Sequence, residues 1–111
     1  MENDEFFKDY SSFVPFTAEH KGKSTLFENQ HVLVGLNSLE PGQSLEKHAH
    51  ETQCRFYLAL EGNGQVWVGD EEKEIEPGIV IWVPAGHTHR IVNTGAGRMV
   101  LLVGIAPSHA D

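Results

Sequence analysis

The chain reads as an all-β protein, a sandwich or barrel. Residues 31 to 111 divide into roughly eight short apolar or alternating runs, each bounded by glycine or proline. No stretch of ten or more residues keeps an apolar period near 3.6, so no amphipathic helix is predicted. At 111 residues the length suits one domain.

Taken in order, residues 1 to 30 form an irregular leader crowded with Phe6, Phe7, Tyr10, Phe13, Phe16 and Phe27. That aromatic density does not suit a disordered tail, so the leader is expected to pack on the barrel or on a partner subunit. The barrel domain is expected over residues 31–111. His31 to Leu36 is a β-rich run, followed by Asn37-Ser38-Leu39 and stopped by Glu40-Pro41-Gly42. Leu45 to His50 and Phe56 to Leu60 are short strands, the second stopped by Glu61-Gly62-Asn63-Gly64. Gln65 to Val68 pairs with Lys73 to Ile75 across Gly69-Asp70-Glu71-Glu72, a hairpin signal. Glu76-Pro77-Gly78 has proline and glycine where a type II turn needs them. Ile79 to Val83 reads as a buried strand, and Thr88 to Asn93 and Met99 to Ile105 complete the set.

Composition narrows the partners. There are 8 Lys and Arg against 16 Asp and Glu, a net charge of −8 with histidine neutral. Nucleic-acid binders are usually basic, so a phosphate backbone is not expected as a partner. The single cysteine, Cys54, cannot form an internal disulfide and fits a reducing compartment. Met1 to Glu5 has no signal-peptide character, and no run approaches the ~18 apolar residues of a spanning helix. No membrane association is expected, and the protein is expected to be cytoplasmic.

Two glycine-punctuated segments carry the functional signal. In the first, Gly42 is followed after five residues by His48-Ala49-His50, and the segment ends at Gly62. In the second, Gly78 is followed after five residues by Pro84-Ala85-Gly86, then His89 and Asn93. Alternate side chains of a strand share a face, so His48 and His50 would point the same way. A third imidazole from a neighbouring strand would complete a metal site.

These segments resemble the two motifs of the cupin superfamily. The resemblance covers residues 42 to 93, about half the chain, and the second motif matches at every position. It implies a double-stranded β-helix (a cupin or jelly-roll barrel), usually dimeric. It also implies a divalent metal (Fe, Zn, Mn, Ni or Cu) held by His48, His50 and His89. The departure is the first motif's glutamate. Counting from Gly62 the position holds Arg55, and counting from His50 it holds Cys54, so no carboxylate is present. A divalent ion held by three neutral imidazoles keeps its full charge. At ~6 Å and an effective dielectric near 20 it would repel an arginine by roughly 5 kcal/mol. Arg55 and a metal therefore coexist only if the arginine points outward, pairs with a carboxylate, or faces an anion bound to the metal.

Two registers are open for this strand. In one, Arg55, Tyr57 and Ala59 face inward, and Phe56, Leu58 and Leu60 form an outer face that the leader or a partner must cover. In the other, Cys54, Phe56, Leu58 and Leu60 face inward. Polarity alone favours the second. The family spacing favours the first, which makes Arg55 and Tyr57 candidates for substrate binding. Gln53 and Cys54 are possible additional ligands, and Glu51 would supply a carboxylate. His87 reads as a loop residue, and His20, His31 and His109 as surface histidines. Trp67 and Trp82 read as core or interface residues. Gly42, Gly62, Gly78 and Gly86 read as turn devices, and Asn93 as a strand stop bonded to nearby backbone.

The expected function is a small cupin binding a divalent metal and a small anionic molecule in its barrel. Its reaction is unassigned, with dioxygenase chemistry one possibility by analogy with three-histidine cupins, in some of which an arginine grips the substrate carboxylate. A non-catalytic sensor or binding module is the alternative, as is a sugar-acid isomerase or lyase. A homodimer is expected.

Overall fold

The computed structural model describes residues 6–15, 22–47, 49 and 51–109. Among the described residues a single 3-10 turn, Tyr10–Ser12, precedes nine strands. These are β1 (Gly22–Glu28), β2 (Leu33–Leu39), β3 (Ser44–Lys47), β4 (Cys54–Glu61) and β5 (Gly64–Val68), then β6 (Glu71–Ile75), β7 (Val80–Val83), β8 (His89–Asn93) and β9 (Met99–Ala106).

They form a five-stranded sheet in the order β1-β2-β9-β4-β7 and a four-stranded sheet in the order β3-β8-β5-β6. Every pairing is antiparallel. The last strands insert between early ones: β9 between β2 and β4, and β8 between β3 and β5. This is the winding of a double-stranded β-helix.

Strand alternation builds the core. From the five-stranded sheet Leu39, Tyr57, Ala59, Ile81, Val83, Met99, Leu101 and Val103 point inward. They meet Leu45, Val66, Ile75 and Ile91 of the other sheet. Turn chemistry sets where the strands stop. Gly78 has φ +99°, and the Ile79 N–H donates to the Glu76 carbonyl at 3.2 Å, so the Glu76–Ile79 turn closes around a glycine in the left-handed region. Asn93 is fully buried at the end of β8. Its amide donates to the Leu39 carbonyl (2.8 Å) and the Gly97 carbonyl (2.9 Å), and its oxygen accepts from the Gly95 N–H (2.9 Å).

Two expectations need correction. The leader is not irregular throughout, because Gly22–Glu28 is the edge strand β1, paired with β2. Its two apolar residues, Leu26 and Phe27, are adjacent and show no alternation, and a bulge falls between Thr25 and Phe27. Pairing with β2, rather than a pattern of its own, makes it a strand. Nor is β7 buried on both faces. Val80 and Trp82 are 63% and 59% exposed, because β7 is an edge strand with only its inner face, Ile81 and Val83, covered.

The outer face of the five-stranded sheet is covered on one side only. Over β2 and β9, Val14 from the leader packs with Leu26, Leu36 and Val100, and with the half-buried Tyr10, Leu60 and Leu102. Tyr10 donates to Glu61 at 3.1 Å and Ser38 to the Pro15 carbonyl at 2.6 Å, fixing that segment. Over β4 and β7 the face is open, with Phe56 directly opposite Trp82. Phe6 and Phe7 are exposed and do not cover it, and Phe16 lies outside the described residues.

Candidate functional site

The register of β4 settles the direction of its side chains. Arg55 pairs with Ile105 of β9 and Val83 of β7, and Tyr57 with Val103 and Ile81. All of these stand on the inner face. Tyr57 is completely buried, Ala59 nearly so, and Phe56 is exposed outside. The inward register of Arg55, Tyr57 and Ala59 is the one adopted, against simple polarity.

His89 begins β8 in the middle of the four-stranded sheet, opposite Lys47 of β3 and Val68 of β5. It is buried, and its ring faces that of Tyr57 with centroids 5.3 Å apart and planes tilted by 52°. The Tyr57 hydroxyl and His89 Nε2 share a hydrogen bond of 2.7 Å. Burial pushes the Tyr57 phenol up from its ordinary pKa, and the nearby Arg55 guanidinium opposes that shift through hydrogen bonding and charge.

Arg55 is half-buried and donates through Nη2 to Gln53 Oε1 at 2.8 Å. Gln53 is itself buried, and its amide donates to the Pro107 carbonyl at 3.0 Å. A polar line thus runs from the C-terminal segment through Gln53, Arg55 and Tyr57 to His89. Its one permanent charge is the guanidinium, and no carboxylate lies within ion-pair distance of Arg55 among the described residues.

The other sequence candidates fall out as follows. His48 and His50 lie outside the described residues. Cys54 alternates away from Arg55, and its thiol donates to the Ala106 carbonyl at 3.6 Å, so it does not share a face with His89. The Gln53 carbonyl is engaged by Arg55. Glu51 is exposed just before β4. His87 is exposed in the loop between β7 and β8, His31 is exposed beside Gln30, and His109 sits 3.4 Å from Glu28. His20 lies outside the described residues. Trp67 packs under the Arg90 guanidinium at 5.0 Å, and Trp82 faces outward.

Sequence reasoning missed Ser108. It is buried, and its hydroxyl has no hydrogen-bond partner among the described residues. No apolar pattern or motif marks it, because it follows the last strand.

These donors suit a divalent metal only in part. His89 is a buried imidazole facing the barrel interior, which is suitable ligand chemistry, but the chain carries the cation Arg55 where the motif spacing calls for an anionic ligand. Among the described residues no group of three or more His, Cys, Asp and Glu is placed to hold a metal. The set becomes electrostatically reasonable when an anion offsets Arg55.

A cavity of about 250 Å³ opens on this inner face between β1, β2, β9 and β4. Lys23, Thr25, Asn37, Gln53, Arg55 and Ser108 supply polar lining.

The family described as "Cupin domain" matches residues 35–105, more than half of the chain. The dimethylsulfoniopropionate lyase DddW of Ruegeria pomeroyi is 34% identical over 61 residues, covering 55% of this chain and 40% of the lyase. The chain therefore spans well under two thirds of that relative. Among solved structures, the TT1209 protein of Thermus thermophilus is 37% identical with a TM-score of 0.86, covering 91% of this chain and 96% of that one. An uncharacterised double-stranded β-helix protein from Klebsiella pneumoniae superposes with a TM-score of 0.89 at 17% identity, covering 97% and 95% of the two chains, a likeness of fold alone. With both motifs, the winding and the family match in agreement, the chain belongs to the cupin family.

Proposed function

We propose that this cupin binds a small organic anion inside its barrel, with Arg55 as the charge partner, beside a divalent metal held by His48, His50 and His89. One observation carries the reading: a half-buried guanidinium faces the barrel interior and, among the described residues, meets the neutral groups Gln53 and Tyr57 and no carboxylate. Charges taken out of water are normally paired, because unpaired burial is costly. An arginine also matches a carboxylate with two parallel hydrogen bonds. The bound anion completes that pairing and lowers the repulsion between Arg55 and a metal.

When bound, the metal supplies Lewis-acid polarisation of a ligand oxygen. The chain's own residues do the rest. Arg55 orients the anion, Gln53 fixes the guanidinium, and Tyr57 holds His89 through its hydroxyl. The aliphatic core excludes water from the closed end. A binding module without turnover uses the same residues, and the half-buried Arg55, with no carboxylate partner among the described residues, supports it equally well. We further propose a homodimer, on the open apolar face over β4 and β7.

The test is metal content by elemental analysis, paired with metal titrations with and without a carboxylate. His48→Ala and His89→Ala are expected to lower metal stoichiometry. A carboxylate is expected to tighten metal binding to the wild type, and metal to tighten carboxylate binding by the same factor. Arg55→Gln is expected to bind metal without that help. Equal metal in the wild type and both histidine variants removes the metal half of the proposal. Carboxylate binding unchanged in Arg55→Gln removes the anion half.

A further inference from the structure

The cavity beside Arg55 has a second basic end. Lys23 of β1 lines it too, and none of its described lining residues is an Asp or Glu. That is unusual in a chain with 16 acids and 8 Lys and Arg. Lys23 makes no ion pair among the described residues. Two cations sharing one small space repel each other, and the described residues of the wall offer them no carboxylate.

Register gives their separation. Lys23 pairs with Asn37, which pairs with Leu101, whereas Arg55 pairs with Ile105. The two stand three strands apart on the same face, roughly 14 Å across and about 13 Å along the sheet. Their long side chains both reach the one cavity. At 250 Å³ it has room for about eight waters, the size of a small metabolite.

The third wall is the segment after β9. Gln53 holds Pro107 at 3.0 Å, and His109 lies 3.4 Å from Glu28 of β1, so this segment spans from β4 to β1. Between those two ties sits Ser108, which lines the cavity and has a buried hydroxyl without a partner among the described residues. A buried hydroxyl left unbonded is costly, and a hydroxyl re-aims by simple rotation.

We propose that the ligand is a small dicarboxylate. One carboxylate sits on Arg55, the other on Lys23 near the mouth, and Ser108 donates to a ligand oxygen along the third wall. This rests on the reading of Arg55 as an anion partner and adds a second recognition point on β1 and the segment after β9. Two like charges at opposite ends of a space with no carboxylate among its described lining residues select a doubly charged ligand over a singly charged one.

The experiment is isothermal titration calorimetry on the protein as purified. The probes are malonate, succinate and glutarate, with butyrate as the single-charge control. At least one diacid is expected to bind tenfold or more tighter than butyrate. Lys23→Met is expected to bring that diacid down to the butyrate level. Ser108→Ala is expected to weaken the diacid several-fold. Lys23 is exposed, so its variant tests binding rather than folding, and a thermal melt confirms this. Diacid and butyrate binding alike, or a diacid preference that survives Lys23→Met, overturns the dicarboxylate assignment while Arg55 stands as an anion partner. No carboxylate binding at all to the wild type overturns both.

Discussion

The phenol of Tyr57 and the imidazole of His89 meet across the barrel at 2.7 Å, joining the five-stranded sheet to the four-stranded one through two buried side chains. Removing one partner leaves the other with a buried polar atom. Tyr57→Phe keeps the shape of the core and deletes only the hydroxyl. The expected cost is about 1–3 kcal/mol, read as a lower urea midpoint with an unchanged slope. A midpoint equal to wild type would show that the bond contributes nothing net.

The same phenol predicts an alkaline limb of stability. Burial raises the Tyr57 pKa in the folded protein above its ordinary value of 10.0. The folded state therefore holds that proton more tightly than the unfolded chain does. This contribution is fully present below pH 10 and is lost as pH rises through the folded pKa. Urea midpoints measured from pH 8 to 11 are expected to fall more steeply above 10 in wild type than in Tyr57→Phe. Parallel curves would contradict the assignment. Tyr10 is also raised, chiefly by its bond to Glu61, and is present in both proteins, so it cancels in the comparison.

Arg55→Glu places a carboxylate at the position where the family motif has one. It removes a positive charge from beside the proposed metal site and adds a negative one. Divalent metal affinity is expected to rise tenfold or more, equivalent to at least ~1.4 kcal/mol, and carboxylate binding to disappear. Competition with a fluorescent chelator measures the first, calorimetry the second. Weaker metal binding in the variant would argue against three histidines converging beside this residue.

On the outer face, Phe56 and Trp82 lie directly opposite each other on β4 and β7, 38% and 59% exposed. Covering them with a second copy predicts a dimer mass by light scattering at micromolar concentration. Trp82→Lys is expected to shift that mass to a monomer with little loss of melting temperature, because the side chain is already outside. A monomeric wild type would leave this face without the partner proposed for it.

Asn93 closes three backbone groups at once, so Asn93→Ala is expected to cost about 2–4 kcal/mol from three hydrogen bonds. Chemical denaturation checks it. A loss below about 1 kcal/mol would mean that water replaces the amide without penalty.

The fold was legible because glycine and proline mark the turns and because short β-rich apolar runs lie between them. The inward Arg55 was legible only through its spacing from Gly62, since polarity by itself points the other way. Other features have no local signature. Whether one face of β7 is open depends on which strands flank it, so Trp82 looks as buried as Ile81 in one dimension. β1 exists through its pairing with β2. The tie from Gln53 to Pro107 joins residues 54 positions apart, and no short pattern encodes it. Ser108 takes its importance entirely from that tie.

The position of Cys54 has a practical consequence. It is the chain's sole thiol, and it lies one residue from Arg55 on the opposite side of the sheet. A maleimide dye attached there would sit behind the proposed binding face, leaving the cavity clear, while its bond partner Ala106 leads directly into the segment that walls the cavity. A single label would thus report on occupancy from behind, without mutagenesis to remove competing sulfhydryls.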